Sequence, residues 1–354
     1  LEAFRKISTE FSLKGLYVNT DYEPYATSRD AAVVSLLKDK GIPVRFYKDQ
    51  VIFEKDEAVK ADGTPYTVYT PYSRAWKKLL TSKDIQPFAS ESLAGNFLRT
   101  APAIIPAIEE LGFRPVKTVP ALPAVNTEII RDYHLSRDIP SVEGTTRLGV
   151  HLRFGTVSIR NLVKTALELN ETWLNELIWR EFFMSILWHF PHVTENSFKR
   201  RYDEIRWRNN EEEFERWCNG LTGYPVVDAG MRELNATGFM HNRVRMITAS
   251  FLAKHLLTDW RWGEAYFAAK LLDYELSSNN GNWQWAAGTG CDAAPYFRVF
   301  NPAEQTRKFD PQMSYIRRWV PEFDSPSYPR PVVDHPFARE RALTTYAAGL
   351  GRNL

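Results

Sequence analysis

Cysteine is nearly missing from this sequence: Cys218 and Cys291 are its only two in 354 residues, and they form no C-x-x-C pair. A disulfide framework and a zinc ribbon are thereby excluded, and a reducing cytoplasm is the expected setting. Apolar runs of membrane-helix length are lacking, and the start carries no signal-peptide pattern. The formal net charge is only +2, so no global field draws the chain to nucleic acid, and any basic surface must be local. Walker loops, Gly-x-Ser-x-Gly elbows and Cys/His nucleophile patterns are absent too, which leaves hydrolysis and phosphoryl transfer without a foothold. His189 and His192 flank Pro191, which interrupts helical spacing, and no third ligand lies near them in sequence. No metal site is expected.

Aromatic residues, in contrast, reach 14%, and ten of the eleven tryptophans fall between Trp173 and Trp319. The length exceeds what one compact core serves well, so two lobes are expected. "KGLYVN" (14–19) and "PVRFYK" (43–48) read as strands around a helix over 28–41, with Ser28 as cap and Gly41 as stop. That order predicts one βαβ unit of a parallel sheet. The opening at Leu1, on "LEAFRKIS", reads as the end of a helix already under way, so an earlier part of the domain is expected to be missing. Prolines 87, 102, 106, 115, 120, 123 and 140 then punctuate a long connector. From Thr145 onward helical periodicity dominates, with helices predicted over 171–190, 211–219, 225–238, 241–257 and 262–277.

Four stretches carry candidate chemistry. Gly144, Thr145, Thr146 and Arg147 read as the start of a helix, where exposed amides, two hydroxyls and a guanidinium make a pyrophosphate seat, or where a threonine simply caps the helix. Glu176 and Trp179 share a helical face, as a base-binding pair or as core. Arg243 and Arg245 point different ways from an apolar helix, so each needs an acid, a phosphate or water; Asp273 is a candidate partner for Arg245. Trp283 and Trp285 sit in "NNGNWQWAAGTG" among small and amide residues, a setting for a flat polar ligand or for a packed helix. Basic clusters at 199–208, 243–245, 307–308 and 317–318 lie beside aromatics such as Trp207.

"WLNELIWREF", "TGYPVVDAGMRELNATGFMHNRVRMITASFLAKHLL" and "NNGNWQWAAGTGCDAAPYFRVFNP" together resemble the photolyase/cryptochrome family, most closely the class I cyclobutane pyrimidine dimer photolyases, and the match runs along nearly the whole chain. The resemblance implies an α/β plus all-α architecture. A truncated α/β antenna-type domain would span 1–80, a connector 81–130 and a helical FAD-binding catalytic domain 131–354. It implies FAD as cofactor, in its reduced form when active, and assigns no antenna chromophore. Tyr133, Thr145, Thr146, Arg147 and Leu148 would hold the pyrophosphate and ribose. Gly149 stands where many relatives have a serine. Asn242, Arg245, Asp273, Glu275 and Asn279 would line the flavin, with Asn279 facing N5.

Trp283, Trp260 and Trp207 match the family's electron-transfer chain. Glu176, Trp179, Arg243, Met246 and Trp285 match positions around an extruded dimer, photolyases being among the enzymes that take a base out of the stack. The function implied is light-driven splitting of pyrimidine dimers in damaged DNA by a deoxyribodipyrimidine photo-lyase, a monomer of the bacterial type in the cytoplasm and nucleoid. A cryptochrome-like blue-light receptor without repair is the alternative.

Overall fold

The computed structural model describes residues 1–114, 116 and 120–351; the connector's Pro115 and the last residue of the predicted helical domain, Leu354, lie outside them. Two short strands, β1 (Leu16–Asn19) and β2 (Val44–Tyr47), pair in parallel, with Leu16 opposite Val44 and Asn19 opposite Tyr47. Helix α1 (Glu2–Glu10) precedes them and α2 (Pro24–Lys38) crosses between them, so the predicted βαβ unit is present. The crossover helix starts four residues before the expected cap Ser28. Pro24 occupies its first turn, where a missing N–H costs nothing and φ is already helical. Tyr17, Phe46 and Tyr47 on the strands are exposed.

After α3 (Tyr69–Leu79) the connector holds a 3₁₀ turn and much exposed apolar surface, including Phe88, Phe97, Leu98, Ile104 and Ile105. The remainder is helical: α4 (Thr127–Arg131), α5 (Tyr133–Ser136), α6 (Gly149–Phe154), α7 (Ile159–Leu169), α8 (Glu171–His189), α9 (Glu211–Cys218), α10 (Pro225–Thr237), α11 (Asn242–Ser250), α12 (Trp260–Lys270), α13 (Leu276–Ala287), α14 (Pro302–Phe309), α15 (Ser314–Trp319) and α16 (His335–Gly349). Asn170 caps α8 and Asp259 caps α12 through side-chain oxygens, while Gly238 and Gly288 close α10 and α13 in the left-handed region.

Two expected helices differ from the structure. The 241–257 segment is α-helical only to Ser250; Phe251–His255 winds on as a π-helix, every residue of it buried. The 262–277 segment breaks after Lys270, and Leu271 is extended. There the Glu275 carboxylate accepts the backbone N–H groups of Ser277 and Ser278, and both serine hydroxyls, to start α13 afresh.

Helix α8 joins the early chain to this bundle. Its Glu181, 3% exposed, accepts the amides of Ile52 at 2.7 Å and Phe53 at 2.9 Å and the indole N–H of Trp76 at 2.6 Å. Tyr69 donates its hydroxyl to the Asn175 carbonyl and its amide to Asp292. Burial outweighs these donors and pushes the Glu181 carboxyl up to about 7. A folded-state acid raised above its ordinary value binds its proton more tightly than the unfolded chain does. Its contribution is therefore complete below about pH 4.5 and is lost as pH rises through 7. Glu181→Gln, which turns an NH₂ towards an N–H donor, should cost about 2–3 kcal/mol by chemical denaturation. It should also remove that pH slope between 4.5 and 7.

Candidate functional site

The break between α12 and α13 leaves Asp273, Tyr274 and Glu275 outside helix, and two cavities adjoin there. One, of about 400 Å³, is lined by Thr145, Thr146, Arg147, Leu148, Phe239 and Asp273. The other, about 80 Å³, is lined by Asn242, Arg245, Met246, Asp273, Glu275 and Asn279, with Trp283 in its wall. Asp273 belongs to both. Arg245 donates to its two oxygens at 2.8 and 3.1 Å and anchors its own Nε on the Met240 carbonyl at 2.7 Å. The partnership expected for Arg245 is thus formed, and it holds the shared wall. A Cβ on Gly149 would stand 3.1 Å from the Asp273 carboxylate, so a larger residue there would press that wall back by a few tenths of an ångström.

Thr145 and Thr146 cap nothing. Helix α6 begins at Gly149 with Leu148 as its cap residue and no side-chain bond there, so both the helix start expected at 144–147 and the plain capping alternative are overturned. Arg147 sits at φ 51, in the left-handed region that non-glycine residues rarely adopt, and its guanidinium lies 4.5 Å over the Phe239 ring. Two hydroxyls and a guanidinium around a roomy cavity form a donor set for a diphosphate. The second compartment offers a guanidinium, a carboxylate and carboxamides around a narrow slot, groups suited to the polar edge of a planar heterocycle. The two sets are of the kind that could hold the central diphosphate and the flavin edge of FAD.

Asn279 is oriented by a residue that periodicity did not single out. Its Nδ2 donates to the carboxylate of Glu264 at 2.8 Å and to the same residue's carbonyl at 3.1 Å, leaving Oδ1 as the free acceptor. Burial raises the Glu264 carboxyl, against the Asn279 hydrogen bond, which lowers it. An acid inside the aromatic helix "WGEAYF" is the sequence signal for such a role, since it must find a donor. Glu275 lines the slot but spends its oxygens on the α13 start. Tyr133 lines neither cavity; it lies against Arg137, and burial holds its phenol well above the ordinary range.

Glu176 and Arg243 face each other through a chain of opposite charges. Arg137 pairs with Glu176, its Nε lies 3.8 Å from Asp138, and Asp138 takes Nη2 of Arg243 at 2.6 Å. Burial raises the Glu176 carboxyl, against the opposing pull of Arg137. Met246 reaches Arg243 through its sulfur at 3.6 Å. Trp179, one turn on from Glu176, has one face covered by Tyr69, with ring centroids 3.7 Å apart and planes 4° apart. Trp285 is half-buried against the helical core.

Trp260 and Trp283 are both buried, their indole N–H groups without partners among the described residues. Gly263, one turn beyond Trp260, lies so close to the Trp283 ring that a Cβ there would collide with it. Trp207 is half-buried, packs against the same core and lies edge-on to Tyr346 at 5.8 Å. Trp217, which the sequence reading did not place, lies edge-on to Trp283 at 6.1 Å.

These elements have close relatives. Residues 173–326 match the model described as the FAD binding domain of DNA photolyase, and residues 1–91 match the DNA photolyase model. The chain is 36% identical to the deoxyribodipyrimidine photo-lyase of Vibrio cholerae, across 99% of this chain and 82% of that protein. It is also 36% identical to the Escherichia coli protein of the same name, across 98% and 81%. A bacterial class III photolyase from Agrobacterium tumefaciens superposes with a TM-score of 0.86 at 34% identity, covering 98% of this chain and 82% of that one. A Synechocystis cryptochrome superposes at 0.81 with 26% identity, covering 97% and 81%. With the FAD-binding domain spanning α8 to α15 and full-length relatives at this identity, the chain belongs to the DNA photolyase family.

Proposed function

We infer that this protein splits cyclobutane pyrimidine dimers in damaged DNA under blue or near-ultraviolet light, using residues 131–354 as the cofactor-holding unit. The observation that carries the reading is the pair of adjoining cavities with Asp273 in both walls, one rich in phosphate donors and the other in heterocycle-edge partners. When bound in its reduced form, FAD supplies one-electron donation on excitation, opening the cyclobutane ring and receiving the electron back.

The protein's own residues supply place and polarity. Thr145, Thr146 and Arg147 bind the diphosphate. Arg245, fixed by Asp273, and Asn242 orient the ring. Asn279, with both its N–H groups committed to Glu264, would offer Oδ1 as a hydrogen-bond acceptor to the N5–H of a reduced flavin. Glu176, its carboxyl raised by burial, is placed to hydrogen-bond the polar edge of an extruded base, and Trp179 and Trp285 to receive its faces. Arg243 and Met246 stand beside it at the mouth. Trp283, Trp260 and Trp207 would serve as an indole route along which electrons from an external reductant could reach the flavin site.

A blue-light receptor without repair is the second reading, favoured by the likeness to the Synechocystis cryptochrome. Illuminating the reduced protein with an oligonucleotide containing a thymine dimer separates the two. Loss of the dimer only in the light is expected, and its persistence assigns the receptor role. Trp283→Phe should abolish light-driven reduction of the oxidised cofactor while chemically pre-reduced protein still repairs; undiminished photoreduction removes Trp283 from the route. Asp273→Ala strands the partly buried Arg245 and should cost roughly 1–2 kcal/mol. It should also lower the flavin-to-protein absorbance ratio of the purified protein.

A further inference from the structure

Asp138 lies outside every motif singled out in the sequence, yet it joins two of the groups placed at the mouth of the site. Four charges alternate in one chain of ion pairs: Glu176, Arg137, Asp138 and Arg243. Arg243 is a guanidinium already set for an anion. Its face rests 4.3 Å over the Phe309 ring, its Nη1 touches the Met246 sulfur, and its buried Nε has no acceptor among the described residues. Its one strong partner is a single oxygen of Asp138. Asp138 makes no other side-chain hydrogen bond among the described residues, and its side chain is 42% exposed. A half-exposed carboxylate on an arginine whose Nε has no acceptor among the described residues stands where a phosphate oxygen would bind.

We propose that Asp138 is a positioning residue that occupies the place of a DNA backbone phosphate on Arg243 and, when displaced, unlocks Glu176. The proposal rests on the repair reading above. A phosphate arriving at Arg243 repels the Asp138 carboxylate, and the nearest cation able to take it is Arg137, whose Nε is already 3.8 Å away. Arg137 is the partner of Glu176. Drawing it towards Asp138 releases the Glu176 carboxyl for the extruded base. Backbone grip and base recognition become one coupled exchange of partners, in which no covalent bond changes. The two outer charges are never both paired as they are in the free protein.

The test measures binding in the dark, with the flavin-loaded protein and matched duplexes with and without a thymine dimer, over a range of salt. Asp138→Asn removes the competitor, so affinity for dimer-free duplex should rise roughly two- to fivefold, an exposed ion pair being worth that much. Its salt dependence should steepen by about one ion. The preference for dimer DNA should fall, because Arg137 then stays on Glu176. Asp138→Glu, which keeps the charge, should restore that preference. Glu176→Gln should reduce the dimer preference strongly in the unsubstituted background and little in Asp138→Asn. If Asp138→Asn weakens both duplexes by the same factor, or changes neither affinity nor salt slope, the proposal is overturned while the repair reading stands. If the unsubstituted protein does not prefer dimer DNA at all, both fail together.

Discussion

One buried carboxylate decides whether this molecule has a cavity. Residues 262–277 have the periodicity of a single helix, and a continuous rod there would carry Asn279 and Trp283 along the axis of α12. Glu275 prevents it by collecting two backbone amides and two serine hydroxyls from the first turn of α13. The four donors compensate a carboxylate that is 8% exposed, which would otherwise be costly to bury. The chain turns at 271–275, Asp273 swings to Arg245, and Asn279 comes to lie against Glu264. Everything read as cofactor chemistry follows from that corner.

Helix α8 performs a comparable division of labour across its width. On one side Glu181 gathers donors from residues 52–76, and on another Glu176 pairs with Arg137 and Trp179 stacks on Tyr69. The aromatic stack of Tyr69 on Trp179 ties these sides together, since Tyr69 also bonds the α8 backbone. The early chain is thus part of the site's support, and not only a neighbour of it. Close approach of α8 and α13 depends on Gly281, where any Cβ would collide with Phe183.

Much of the architecture was legible from pattern. The strands, α8, α9 and α10 lie within a residue or two of their predicted limits, because long apolar periodicity and, for α10, the stop at Gly238 act locally. The corner at 271–275 was hidden because glutamate is an uncommon cap and its serine partners look like ordinary helix surface. The early start of α2 was hidden because Ser28 has the chemistry of a cap, while the true start at Pro24 has no side-chain cap to mark it. Within the site, Arg245 and Asp273 could be paired in advance, since a charge in an apolar helix demands a counter-charge. The roles of Glu181, Glu264, Arg137 and Asp138 depend on partners 15 to 129 residues away in sequence, and no periodicity encodes those.

The anchoring of residues 52–76 on α8 has a consequence for how the chain may be divided. Between residues 88 and 113 the backbone is exposed and contributes no buried side chain. The two portions it joins are already held by the Glu181 cluster, the Tyr69 bonds and the Lys77–Glu171 ion pair. Covalent continuity through that stretch is therefore dispensable for their association. A molecule cleaved there would behave as a two-piece complement, which makes this connector the natural place to split the protein or to insert a foreign module.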